Sequence, residues 1–320
     1  MNDIRERLAH VNGVDLVVNE AGEASAPVVI CSHGFPESSY SWRHTLPALA
    51  RAGYHAIAPD QRGYGSSSNP TTVDAYGIEQ LAGDLIGLLD ATGQEQGVFV
   101  GHDWGALIVW DLARLYPERV RAVVGVSVPF INWPLAPTEL FKMAYPDRFF
   151  YILYFQAVGP AERELGRDPR RTMAKILWGA SGDGYRETDI DVPVDGAGFL
   201  DVMPEPPARL PGWLTDADID HYAAQFARSG FFGPVSYYRN LDANWRLVKE
   251  LPTSRVAMPS FFIAGDRDLV VARNPAGIEA MKALLPDLRG VVMLPGIGHW
   301  TQQEAPDAFN DALIGFLRTL

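Results

Sequence analysis

Apolar residues in this chain fall into short continuous runs separated by stretches of helical spacing. Residues 27–32, 55–59, 98–100, 122–128, 260–264 and 291–294 are apolar at consecutive positions and rich in Val, Ile and Ala. Runs of that length read as buried strands. Between and after them, residues 40–52, 78–92, 106–116, 276–285 and 306–320 carry apolar side chains at helical spacing, with Gly93 and Pro117 as stops. Strands buried on both sides, alternating with helices, predict a mostly parallel sheet covered on both faces. Ahead of this pattern, residues 7–11 and 14–18 alternate around Asn12-Gly13, which predicts a type I′ hairpin.

The rhythm breaks near Pro129. Residues 131–240 hold no clear buried strand and are dominated by aromatic-rich helical pieces, such as 147–158 and 218–228. Residues 181–212, rich in Gly, Asp and Pro, read as a lid or a mobile stretch. From Pro259 the alternation returns. The chain is therefore expected to form a discontinuous α/β core, residues 1–130 and 241–320, interrupted by a helical cap, residues 131–240. A length of 320 residues suits one such domain with an insertion.

The sharpest local signal is Gly101-His102-Asp103-Trp104-Gly105, set between the strand at 98–100 and the helix at 106–116. Strand, tight turn and helix with glycine on either side is the spacing of a nucleophile elbow. The central residue is aspartate where serine is usual. A serine that attacked a saturated carbon would give an ether that could not be cleaved again. A carboxylate gives an alkyl ester, whose carbonyl carbon water can attack. An N-cap aspartate is the plainer alternative; the two flanking glycines argue against it.

Sites in open α/β sheets lie beyond the carboxyl ends of the strands. Phe35, Asp103, Asp268 and His299 all follow such ends. His299, in Gly298-His299-Trp300, can act as a base toward water, and Asp268 can orient its imidazole. Asp266 is an alternative for that acid. The backbone N–H groups of Phe35 and Trp104 are placed to receive an oxyanion. His33 and His102 are expected to be structural.

Composition narrows the field. Apolar residues at 47% and charged residues at 21% are ordinary for a globular protein. A net charge of -12 disfavours nucleic acid and anionic membrane surfaces as partners. The single cysteine, Cys31, excludes an intrachain disulfide and reads as a core residue. The first residues show no leader and no apolar span, so a cytoplasmic location is expected. Neither a metal nor an organic cofactor is implied: Cys and His do not cluster, and Gly63 and Gly65 lack the lysine and hydroxyl of a phosphate loop.

The sequence resembles the epoxide hydrolases of the α/β-hydrolase fold over nearly its whole length. The resemblance rests on His33-Gly34-Phe35-Pro36, Gly101-His102-Asp103-Trp104-Gly105, Gly265-Asp266-Arg267-Asp268 and Gly298-His299-Trp300. It rests also on two cap segments, Tyr151-Ile152-Leu153-Tyr154-Phe155-Gln156 and Tyr237-Tyr238-Arg239-Asn240. The order nucleophile, acid, histidine is that of this fold. The resemblance implies that Tyr151 and Tyr238 donate to the epoxide oxygen, with Tyr154 and Tyr237 as neighbouring alternatives. It also implies a cis peptide at Phe35-Pro36, an apolar small-molecule epoxide with water as the substrates, and a role in detoxification. Phe35, Trp104, Phe130 and Tyr154 are expected to line the pocket, and Trp133, Phe149, Phe150 and Phe231 lie on neighbouring stretches. A haloalkane-type dehalogenase shares the aspartate nucleophile, and a silent small-molecule binder shares the fold.

Overall fold

The computed structural model describes residues 4–187, 192 and 194–320. Parts of the expected lid stretch and of the amino-terminal reading fall outside them. Eight strands form one sheet: β1 (Arg5–Val11), β2 (Val14–Ala21), β3 (Val28–Ser32), β4 (His55–Pro59), β5 (Gly97–His102), β6 (Val120–Val126), β7 (Ser260–Gly265) and β8 (Leu288–Leu294). Their order is β1-β2-β4-β3-β5-β6-β7-β8. The pairs β1–β2 and β2–β4 are antiparallel, and every later pair is parallel. The first hairpin turns on Asn12 and Gly13, both at positive φ as a type I′ turn requires.

Strands β3 to β7 are buried almost throughout because helices cover both faces. Alternation along β5 sends Val98 and Val100 to one face, against Trp42, Phe309 and Phe316. Phe99 points to the other face, against the helices Ile78–Asp90 and Trp104–Leu115. Cys31 is fully buried, and burial pushes its thiol pKa up, which suits a small core residue.

Between β6 and β7 the described residues form helices and connecting loops without a strand. Two expected helices differ. Residues 40–52 divide into a 3₁₀ turn, Ser39–Trp42, and the helix Thr45–Arg51. Pro47 has no N–H to give to an earlier turn, so a helix tolerates it only near its start. Of residues 147–158, Tyr151–Tyr154 alone is helical, because Gly159 takes a positive φ and Pro160 begins the next helix. The clustered aromatics there make ring contacts in place of a helical face.

This helical layer is bonded to the sheet side of the molecule. The Tyr237 hydroxyl donates to the Arg62 carbonyl at 2.9 Å. Asn240 donates to the Val73 carbonyl at 2.6 Å, and Asn244 accepts from the Ile78 N–H at 2.9 Å. Arg62 is held in turn by both oxygens of Asp84, at 2.7 and 2.6 Å. No helix among the described residues is long and apolar enough to cross a membrane.

Candidate active site

Strand β5 ends in a turn that only glycine permits on either side of Asp103. A Cβ on Gly101 would lie 2.1 Å from the Gly105 carbonyl oxygen, and one on Gly105 would lie 2.0 Å from that of Ser32. Asp103 itself sits at φ 52°, ψ −116°, a conformation that costs a non-glycine residue ~1–3 kcal/mol. The Asp103 N–H is held by the Val126 carbonyl at 3.2 Å, and its own carbonyl accepts from Ala106, opening the following helix.

The strain sets the carboxylate between two partners. Its Oδ1 accepts from the Phe35 N–H at 2.8 Å. Its Oδ2 lies 3.5 Å from His299 Nε2. Trp104, the first residue of the helix, has an N–H free of intrahelical partners. Phe35–Pro36 is cis.

His299 lies between two carboxylates. Its Nδ1 is 3.0 Å from Asp268 Oδ2, while Asp268 Oδ1 caps the turn after β7 through the Val270 N–H at 2.9 Å. Asp266 is exposed and accepts from the Gly296 N–H at 2.7 Å, so it braces the loop without meeting the imidazole. Burial alone would lower the His299 pKa, but Asp268 and Asp103 more than reverse it and hold it well above the usual histidine range. Burial alone would raise the Asp103 carboxyl; His299, His102 and the Phe35 amide bring it below the usual carboxylate range. The resting pair is an imidazolium facing an ionised aspartate.

His102 supports this loop from below. Its Nε2 donates to the His299 carbonyl at 2.7 Å and its Nδ1 lies 2.7 Å from Glu37 Oε2. His33 bonds to Gln61 and to its own loop. Both histidines are buried in the framework.

Tyr151 and Tyr238 come down from the helical layer, with ring centroids 5.8 Å apart and perpendicular planes. Burial pushes both phenols up, and the Asp103 charge adds to the rise. Both therefore stay protonated at neutral pH. Their two alternatives are engaged elsewhere. Consecutive helix residues point about 100° apart, and Tyr237 spends its hydroxyl on Arg62. Tyr154 lines a surface cleft with Glu164, Arg167 and Arg171, where burial and the Glu164 charge push its phenol up.

Phe35 and Trp104 pack edge-on against Tyr238, at 5.4 and 5.0 Å. Phe130 does not join them. It packs on Trp110 at 5.8 Å and lines, with Leu107, Trp133 and Trp245, a cleft whose wall includes Trp104 and not Asp103. Phe231 stacks on Phe226, Phe150 on Tyr145, and Phe149 leans on Tyr154. Conversely, Phe155 and Phe199, not singled out above, hold the tyrosines. Phe155 contacts Tyr151 at 5.5 Å and Tyr238 at 5.0 Å, and Phe199 contacts Tyr151 at 5.0 Å. Among the described residues, no group of three His, Cys, Asp or Glu side chains is gathered to hold a metal. The arrangement offers a carboxylate nucleophile, a base with its acid, oxyanion donors and two neutral O–H donors on the far side.

A family model for the alpha/beta hydrolase fold matches residues 27–163. The chain is 46% identical over 319 residues to epoxide hydrolase A of Mycobacterium tuberculosis, covering 98% of each chain. It is 37% identical to epoxide hydrolase B of the same organism, covering 95% of each. Among solved structures it resembles epoxide hydrolase A from Mycobacterium thermoresistibile, with a TM-score of 0.90 and 47% identity over 99% of this chain and 98% of that one. An epoxide hydrolase from an endophytic Streptomyces gives a TM-score of 0.92 at 39% identity, covering 98% and 95%.

Proposed function

The chain belongs to the epoxide hydrolases of the α/β-hydrolase fold and hydrolyses epoxides; from that premise we propose how its own residues divide the reaction. The O–H groups of Tyr151 and Tyr238 bind the epoxide oxygen, which fixes the ring with one carbon toward Asp103. Asp103 Oδ2 attacks that carbon, the C–O bond breaks, and the departing alkoxide takes a proton from a phenol. The product of this half-reaction is an alkyl ester on Asp103 and a free hydroxyl on the neighbouring carbon.

Water completes the cycle. The phenolate left by ring opening regains its proton from the His299 imidazolium, whose hold on that proton weakens once Asp103 is neutral. The neutral ring, oriented by Asp268, then takes a proton from a water that attacks the ester carbonyl carbon. The oxyanion is received by the Phe35 and Trp104 N–H groups. Collapse breaks the ester C–O bond, and the leaving alkoxide takes the proton held by His299. The Asp103 acid proton passes to the imidazole, so the vicinal diol leaves and the resting carboxylate and imidazolium are restored. The observation that carries this reading is the placement of one carboxylate between a backbone donor at 2.8 Å and an imidazole at 3.5 Å, beneath two protonated phenols. Residues 131–240 form the cap over the rest of the chain in this reading. The enzyme works in the cytoplasm on apolar epoxides, in a detoxifying role.

A panel of terminal, internal and aryl epoxides beside haloalkanes, read for diol and halide together, tests the assignment. Diol from at least one epoxide class with no halide is expected. Halide release faster than ring opening would make a dehalogenase of it. A tightly bound epoxide that is never turned over would make it a binder.

The phenols have their own test. Tyr151→Phe and Tyr238→Phe should each lower kcat/KM on the order of 10²-fold, since each removes an acid from the ring-opening step. Tyr154→Phe should leave it near wild type. Tyr237→Phe should cost about 1 kcal/mol of stability, the net value of one buried hydrogen bond, with little loss of rate. A Tyr237 variant as slow as the Tyr238 one would reverse the assignment.

A further inference from the structure

We propose that Glu304 is a positioning residue for His299, a carboxylate that grips the amides on either side of the histidine and ties them to the overlying helical layer. The proposal rests on the reading above, in which His299 activates water. Glu304 Oε2 accepts from the Gly298 N–H at 3.0 Å, and Oε1 accepts from the Trp300 N–H at 3.0 Å. These are the residues immediately before and after His299. Glu304 Oε2 also accepts from the Gly182 N–H at 2.8 Å, just beyond the helix Pro169–Gly179.

The surrounding contacts make this a seam. The His299 N–H donates to the Ala180 carbonyl at 2.9 Å, and the Trp300 indole donates to the Leu177 carbonyl at 2.7 Å. Arg267 donates to the Gly182 carbonyl at 3.2 Å. The two backbones lie so close that a Cβ on Gly182 would be 2.1 Å from the Gly296 oxygen, and one on Gly298 would be 2.2 Å from the Gly182 nitrogen. Glu304 is the side chain that bonds to both sides of the seam. Burial pushes its carboxyl up to about 7 in spite of three amide donors, with the Asp268 charge adding to the rise. A group kept there against that cost holds three N–H vectors that water would satisfy without direction.

The imidazole is fixed at its far side by Asp268 and at its backbone by this grip. Loosening the grip displaces the ring from the ester carbonyl, while Asp103 and the tyrosines keep their places. Alkylation and hydrolysis should therefore respond differently. In single-turnover mixing with a chromogenic aryl epoxide, Glu304→Gln should alkylate Asp103 within about twofold of wild type. It should hydrolyse the ester roughly 10- to 100-fold more slowly, the scale of a misplaced catalytic group. The alkyl-enzyme should become the main species by intact-protein mass. Glu304→Asp, charged but shorter, should show the same split to a smaller degree.

The burst amplitude counts folded sites, so a brace with no catalytic consequence would lower the amplitude and leave the ratio of the two rates unchanged. That result, or a proportional fall of both rates, overturns the proposal. If Glu304→Gln does not fold, the ratio in Glu304→Asp decides. Failure of the wild-type enzyme to form any alkyl-enzyme would refute the covalent reading instead.

Discussion

Diol formation should vanish in Asp103→Asn, with a loss on the order of 10⁴-fold or more, as when a nucleophile is removed from an intact site. An amide is a poor nucleophile toward a saturated carbon. It also brings an NH₂ group to a position where both partners, the Phe35 N–H and the His299 imidazolium, are donors. The wild-type enzyme supplies the complementary test. With limiting epoxide in ¹⁸O-water, one turnover should leave label in the Asp103 carboxyl group, because water attacks the ester and not the ring. Labelled diol over an unlabelled Asp103 would mean that water opens the epoxide directly, with the carboxylate in a supporting role.

His299→Gln should separate the two half-reactions. Steady-state turnover is expected to fall on the order of 10³-fold, the range for loss of a general base. One equivalent of alkyl-enzyme should still form, visible as a mass increase equal to the substrate. Loss of the alkylation step as well would assign His299 to nucleophile activation.

The pH dependence carries a sign that follows from the charges. In the free enzyme both Asp268 and Asp103 raise the His299 pKa. Alkylation makes Asp103 neutral, so one of these two supports disappears while burial still favours the neutral ring. The His299 pKa should drop on alkylation, which turns a resting acid into a base at the step that needs one. The rate of ester hydrolysis should rise with pH through an apparent pKa lower than that of His299 titrated by NMR in the free enzyme. Equal values would show that the Asp103 charge does not hold the proton. Ring opening needs Asp103 ionised, and its lowered pKa keeps that step running at lower pH.

The core was legible because buried strands announce themselves. Residues 98–100 and 260–264 have few polar atoms, and they fall inside β5 and β7. The glycines around Asp103 were equally readable, since their need is steric and local. The helical layer was less so. Tyr151–Tyr154 is one turn inside an aromatic cluster, and aromatics at close spacing satisfy a helical pattern while packing ring against ring. Phe130 follows β6 closely, as pocket lining would, yet its ring meets Trp110 edge-to-face and lies under the Arg114 guanidinium. Phe199 lay in a stretch with no period at all. Glu37 and Glu304 gave no signal, because a carboxylate that binds backbone amides or a buried histidine has no partner spacing in sequence. Tyr237 and Tyr238 could not be told apart by type or position. The backbone carbonyl that engages one of them belongs to Arg62, far away in the chain.

That adjacency bears on how substrate gets in. A hinge swinging residues 232–248 clear of the strands would have to part Tyr237 from Arg62, Asn240 from Val73 and Asn244 from Ile78 together. At about 1 kcal/mol net for each bond, before any apolar area is exposed, such an open form is a minor population, on the order of one molecule in a hundred or fewer. The same helix that carries the reactive phenol thus works as a gauge of fixed length, keeping its hydroxyl at constant height above the floor.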